Sequence, residues 1–233
     1  VWGIPTMALL LFTGLYLTVR LKGLQFIRLP RAIRYIFEKE EGEGDVSAFA
    51  SLCTALAATI GTGSIVGVAT ALRAGGPGAL FWMWVSALVG MATKYAEGLL
   101  AVKFRTVDEN GQVAGGPMYY IERGLGKRWV WLAKIFAFFG VVTALLGCGT
   151  FPQVNAITES VESAFGVPVW VMGALVTVAV TAVILGGINS ISKVAESVVP
   201  LMAGAYVLGS VAVLAANYQA VPHAISTIFV SAF

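Results

Sequence analysis

Runs of apolar residues, each about as long as a membrane crossing, alternate along this chain with short polar segments, near 2–19, 46–72, 79–102, 129–151, 167–187 and 195–216. A helix needs about 20 mostly apolar residues to cross a hydrocarbon core about 30 Å thick, so the pattern predicts about six crossings. The first run has no basic region ahead of it and reads as a membrane span, not a cleavable signal peptide. Segment 24–37, LQFIRLPRAIRYIF, mixes Phe26, Ile27, Ile33, Ile36 and Phe37 with Arg28, Arg31 and Arg34 and predicts an interfacial helix on the inner leaflet. Its arginines read as enforcing topology and meeting lipid phosphates, with a specific regulatory lipid site as the other reading, and EKEEGEGD, 38–45, reads as a solvated loop.

Composition strengthens the membrane reading. The 233 residues are 58% hydrophobic and 12% charged, against roughly 25% charged in average soluble domains. The mean hydropathy is +0.85. A chain this size has too little core volume to hide so many apolar side chains from water, so a bilayer must take up the surplus. The net charge of +3 is too small and too dispersed for a nucleic-acid binder. Arg20, Lys22, Arg28, Arg31, Arg34 and Lys39 follow the first span, and Lys103, Arg105, Arg123, Lys127 and Arg128 lie between the third and fourth. Those loops are expected in the cytoplasm, which puts the N-terminus outside a multi-pass cell-membrane protein.

The second span is the informative one. As one straight helix, 46–72 would be about 40 Å long at about 1.5 Å per residue, with its centre near Ile60. Gly61 and Gly63 stand there among the β-branched Thr59, Ile60 and Thr62, so the helix is weakest at mid-bilayer. Non-helical backbone at that depth is tolerated where it is buried in protein or lines a watery cavity, and its freed polar groups become ligands. Carbonyls at the end of the first half suit a cation such as Na⁺, and amides at the start of the second suit a carboxylate, with Thr62 and Ser64 adding hydroxyls. The same residues also read as a packing ridge, Thr59, Gly63 and Gly67.

Other motifs are plainer. AGGP at 74–77 and 114–117 marks turns, and no GK[ST] follows either copy to make a phosphate loop. Cys53 and Cys148 sit in apolar runs without CxxC spacing and read as buried thiols, while a lone His223 argues against multi-histidine triads and zinc sites. Lys94 and Glu97 can face the same side of the third span, as an inner gate contact or a structural ion pair. Glu159 and Glu162 read as a solvated outer face. Neither a nucleophile with its base nor a cofactor motif is present, so an enzyme is not expected.

The stretch GTGSIVGVATALRAGGPGALFWMWVSALVGMATKYAE, Gly61 to Glu97, resembles the hallmark region of the sodium:alanine/glycine symporter family. GGPMYYIERGLG at 115–126 and LGGINSISKVAE at 185–196 resemble later segments of the same family. The resemblance implies an all-α membrane carrier of the amino acid, polyamine and organocation type, with two inverted five-helix repeats and a broken helix. Residues 1–22 would be an extra helix, 23–45 the cytoplasmic interfacial helix and loop, 46–218 the first repeat, and 219–233 the start of a following segment. The second repeat would then be a missing C-terminal partner. By the same resemblance, Gly61, Thr62, Gly63 and Ser64 would receive the substrate carboxylate, and the carbonyls of Ala57 and Ile60 would hold part of the sodium site. Gln153 would hydrogen-bond the substrate, although Pro152 before it also marks a kink or helix end. The family more often has Asn at the Ser64 position, and the shorter hydroxyl leaves more room or a different hydrogen-bond set.

The expected function is therefore sodium-coupled symport of small neutral amino acids, alanine or glycine, by alternating access, with Na⁺ as the co-transported ion and no cofactor. The alternative is a passive channel or facilitator, which can also use a broken helix with exposed carbonyls.

Overall fold

The computed structural model describes residues 3–37, 46–107, 113–146 and 149–233. The acidic segment 38–45 and Cys148 lie outside the described residues. Helices follow one another in the order α1 (Ile4–Arg20), α2 (Leu24–Ile27), α3 (Leu29–Phe37), α4 (Ala48–Thr59), α5 (Thr62–Gly75) and α6 (Gly78–Lys103). A two-stranded antiparallel pair, β1 (Thr106–Val107) with β2 (Val113–Ala114), precedes α7 (Pro117–Leu125). Then come α8 (Val130–Leu145), α9 (Thr150–Phe165), α10 (Val169–Ile184), α11 (Gly187–Ala216) and α12 (Val221–Val230).

Local sequence explains the boundaries. Ser47 caps α4, its Oγ accepting from the Ala50 N–H at 3.1 Å. Both AGGP copies are turns: their third residues, Gly76 (φ 71°) and Gly116 (φ 121°), take backbone angles that a side chain resists, and Pro117 opens α7 where no N–H is needed. The interfacial segment is helical but divided, since α2 ends before Arg28 and α3 restarts at Leu29 with Pro30 in its first turn. Two expected boundaries move. Helix α8 ends at Leu145, short of the end expected near 151, and 150–165, most of it beyond the expected fourth span, is α9: its polar residues weaken an apolar pattern without weakening a helix. The last long helix begins at Gly187, several residues before its apolar run.

The stretches Ala48–Gly75, Gly78–Lys103, Lys127–Phe165 and Gly187–Ala216 are long and apolar enough to cross a membrane, and Ile4–Arg20, Val169–Ile184 and Val221–Val230 are shorter apolar helices. Apolar side chains point outward to a degree no soluble domain shows. Among the described residues, the buried hydrophobics are small, Ala50, Cys53, Ala92, Ala133, Ala195 and Val199, whereas Phe12, Phe138, Trp170, Leu185 and Leu208 are exposed. The chain is a multi-pass membrane protein by this measure.

Two compact units divide it. One comprises 1–35 and 82–146. In it α1 approaches α6 so closely at Gly14 that a Cβ there would stand 2.6 Å from Val89 Cγ1 and 2.8 Å from its carbonyl oxygen. Here α7 packs on α8, and Gly124 lies against the Phe104 ring. The other unit comprises 36–81 and 147–233. Its core joins α4 to α11 through Cys53, Ala195 and Val199, flanked by Phe49 and Leu56. In the same unit α5 packs on α9, and α10 on α9 and α11, while Phe81 meets Phe229 and Phe233 edge to face.

Candidate functional site

The second unit holds the interruption. Ile60 (φ −87°, ψ 85°) and Gly61 (φ −133°, ψ −179°) leave helical geometry between α4 and α5, where the glycines and β-branched residues cluster. The Ile60 N–H still donates to the Leu56 carbonyl at 2.7 Å, and there the ladder stops. The N–H groups of Gly61, Thr62 and Gly63 find no acceptor among the described residues, and the carbonyls of Ala57, Ala58 and Ile60 find no donor among them. Three unspent donors thus follow three unspent acceptors within seven residues, the positive end of one half-helix against the negative end of another.

Ser64 plays a part that its sequence position did not reveal. Its Oγ donates to the Thr59 carbonyl at 2.6 Å, and its N–H donates to the Gly61 carbonyl at 3.0 Å. Both donors are spent inside the chain, where they tie the two sides of the break together. A hydroxyl on a one-carbon arm reaches its own backbone readily, and only its lone pairs remain to accept.

Gln153 is brought to the break. It lies in the first turn of α9, where Pro152 has no hydrogen bond to lose and helps start the helix instead of ending one. The Gln153 side-chain amide stands 3.6 Å from where a Gly61 Cβ would be. Gly63 and Gly67 have nothing within 4 Å of a built Cβ, and they line a cavity of about 470 Å³ with Val66, Thr70, Pro152 and Ala156. Among the described residues no group of three or more His, Cys, Asp or Glu could hold a metal ion.

Lys94 and Glu97 belong to the first unit. The Lys94 Nζ donates to Glu97 Oε2 at 2.8 Å, with the Lys94 side chain 81% exposed and that of Glu97 41% exposed. An exposed pair of this kind contributes about 0–1 kcal/mol in water. Tyr120, on α7, is a neighbour that the sequence did not single out: burial, with Glu97 adding to it and Lys94 opposing, pushes its phenol above the ordinary tyrosine range.

The model of the sodium:alanine symporter family matches residues 1–233. The chain belongs to that family. Among similar proteins, an uncharacterized transporter of Haemophilus influenzae is 59% identical over all of this chain and 51% of its own length. The sodium/alanine symporter AgcS of Methanococcus maripaludis is 51% identical over all of the chain and 52% of its own length, and the amino-acid carrier protein AlsT of Bacillus subtilis is 37% identical over 94% of the chain and 46% of its own length. The chain spans about half the length of these curated relatives. Family membership places it among transporters, which are not enzymes.

Proposed function

We propose that the full-length protein is a secondary carrier that couples entry of a small neutral amino acid to Na⁺ by alternating access. The observation that carries this reading is the pairing, at one break in one span, of unspent carbonyls at Ala57, Ala58 and Ile60 with unspent amides at Gly61, Thr62 and Gly63, beside the Gln153 amide. Carbonyls suit a hard cation such as Na⁺, and helix-start amides suit a carboxylate. A zwitterionic amino acid and Na⁺ satisfy both sets, and the name of the sodium/alanine symporter AgcS agrees with that choice. Glycine at 61 and 63 leaves room for a small side chain.

In this reading the chain supplies an extra helix and one five-helix repeat, and a second repeat of the same protein completes the ion and substrate sites. Its two basic loops face the cytoplasm and its N-terminus lies outside. Ser64 braces the broken helix, while Lys94 and Glu97 form a structural pair on the cytoplasmic side beside Tyr120.

The test is uptake of radiolabelled alanine and glycine into proteoliposomes carrying the full-length protein, with and without an inward Na⁺ gradient. Saturable uptake that requires the gradient, with a KM raised about tenfold in Gln153→Ala, is the expected result. Uptake indifferent to sodium overturns the coupling and points to a facilitator or a differently coupled carrier.

A further inference from the structure

Within the first unit, the start of the interfacial segment and the flank of α6 enclose a crevice of about 420 Å³, whose walls include Gln25, Arg28, Arg31, Tyr35, Met91 and Tyr95. Three observations about it have no role in transport. Arg28 and Arg31, three residues apart, both line the crevice, and neither has a carboxylate partner among the described residues. Like charges so placed repel unless an anion lies between them. Tyr35 and Tyr95 stand half-exposed at the same crevice.

Gln25 is the third. Its side chain is only 7% exposed, and its Nε2 donates at 3.0 Å to Thr18 Oγ1, whose own proton goes to the Gly14 carbonyl. Because Thr18 has spent its proton, the Gln25 amide cannot be turned round, and Oε1 is left buried without a donor. An unmet buried acceptor costs about 1–3 kcal/mol, a cost that a ligand with a donor removes. The rest of the crevice is apolar, formed by Leu24, Leu29 and Met91.

We propose that this crevice is a specific site for an anionic glycerophospholipid of the leaflet it faces, with the phosphodiester held between Arg28 and Arg31 and a headgroup hydroxyl donated to Gln25 Oε1. Guanidinium forks match phosphate oxygens in pairs, and a basic pocket beside a membrane helix is the setting in which headgroups are recognised. The acyl chains run along outward apolar residues of α6, where Leu88 and Leu99 are exposed. Free phosphate finds two of the three features and none of the apolar wall. A lipid finds all of them. The site is independent of sodium coupling, and only the identity of the leaflet rests on the orientation proposed above.

The experiment is a native mass spectrometry titration of the delipidated full-length carrier with dioleoyl phosphatidylglycerol, against dioleoyl phosphatidylcholine and inorganic phosphate. At the first bound lipid, phosphatidylglycerol is expected to bind about tenfold tighter than phosphatidylcholine, with millimolar phosphate unable to displace it. In Arg28→Gln/Arg31→Gln the preference falls to within twofold, and in Gln25→Leu it falls about threefold. Equal binding of the two lipids by wild type, a preference that survives the double substitution, or displacement by phosphate each overturns the proposal. Should the double variant not fold, a photoreactive phosphatidylglycerol on wild type decides: labelling within 24–35 and 88–99 supports the site, and labelling confined elsewhere overturns it. No arm measures uptake, so failure of the transport reading and failure of this one are distinguishable.

Discussion

Two neighbouring spans of similar length behave differently. Ala48–Gly75 and Gly78–Lys103 are both apolar and long enough to cross a bilayer, and both contain internal glycines. The first breaks at Ile60–Gly61, while α6 runs unbroken through Gly90 and Gly98. Glycine number therefore does not decide continuity. In α6 each glycine stands alone, Gly90 between Val89 and Met91 and Gly98 between Glu97 and Leu99, eight residues apart, and one weak position costs about 1 kcal/mol relative to Ala. At 59–63 two glycines alternate with β-branched residues, so several weak positions fall within one turn and the ladder yields there. Ser64 then holds the broken ends in place through the Thr59 carbonyl.

The largest expected effect comes from filling the break. In Gly61→Val, Cβ itself would sit in ordinary contact, 3.6 Å from the Gln153 amide, and the branched methyls would press into it. Sodium-driven alanine uptake by the full-length protein should fall about 100-fold with the protein still reaching the membrane. Uptake within threefold of wild type would mean that the substrate does not approach Gly61.

A smaller effect should follow from making the broken span resemble α6. The double substitution Gly61→Ala/Gly63→Ala adds about 1 kcal/mol of helix propensity at each position, which favours a continuous ladder and the pairing of carbonyls that are now free. The apparent affinity for sodium should drop about tenfold, measured from the sodium dependence of uptake, with less change in the maximal rate. An unchanged sodium affinity would separate the break from the ion site.

Much of this comparison was legible in the sequence. The interruption lies where the glycine and β-branched cluster predicts it, and the AGGP turns follow from the φ > 0 that Gly76 and Gly116 adopt. What the sequence could not show depends on contacts between residues distant in the chain or on hydrogen-bond direction. Gln153 reaches Gly61 only because α9 is a helix packed on α5, and 150–165 has too many polar residues to stand out as one by hydropathy. Ser64 shows a hydroxyl in the sequence, but whether it donates to a ligand or to Thr59 is a matter of geometry. The close pass of α1 over α6 at Gly14 left no signal beyond a single glycine in an apolar run.

Removing the brace should cost less than remodelling the break. Ser64→Ala deletes one hydrogen bond to the Thr59 carbonyl, worth about 0.5–1.5 kcal/mol, and frees that carbonyl beside Ala57, Ala58 and Ile60. The midpoint for sodium should move by about three- to tenfold, while Ser64→Thr, which keeps the hydroxyl, should stay near wild type. Equal behaviour of the two variants would deny the brace.

The smallest expected effect is the control that gives the others their meaning. At Gly90 and at Gly98 a built Cβ meets nothing within 4 Å, so Gly90→Ala and Gly98→Ala add helix propensity to α6 without a collision among the described residues. Because that helix is already continuous, the added propensity of about 1 kcal/mol at each position has no broken state to act on. Uptake and sodium dependence should remain within twofold of wild type, with thermal stability unchanged or slightly raised. A marked loss in either variant would show that the remainder of the full-length protein packs closely on α6 at that glycine. The contrast between the two spans would then have to be redrawn, with glycines kept in α6 for close approach and those at 61 and 63 for the break.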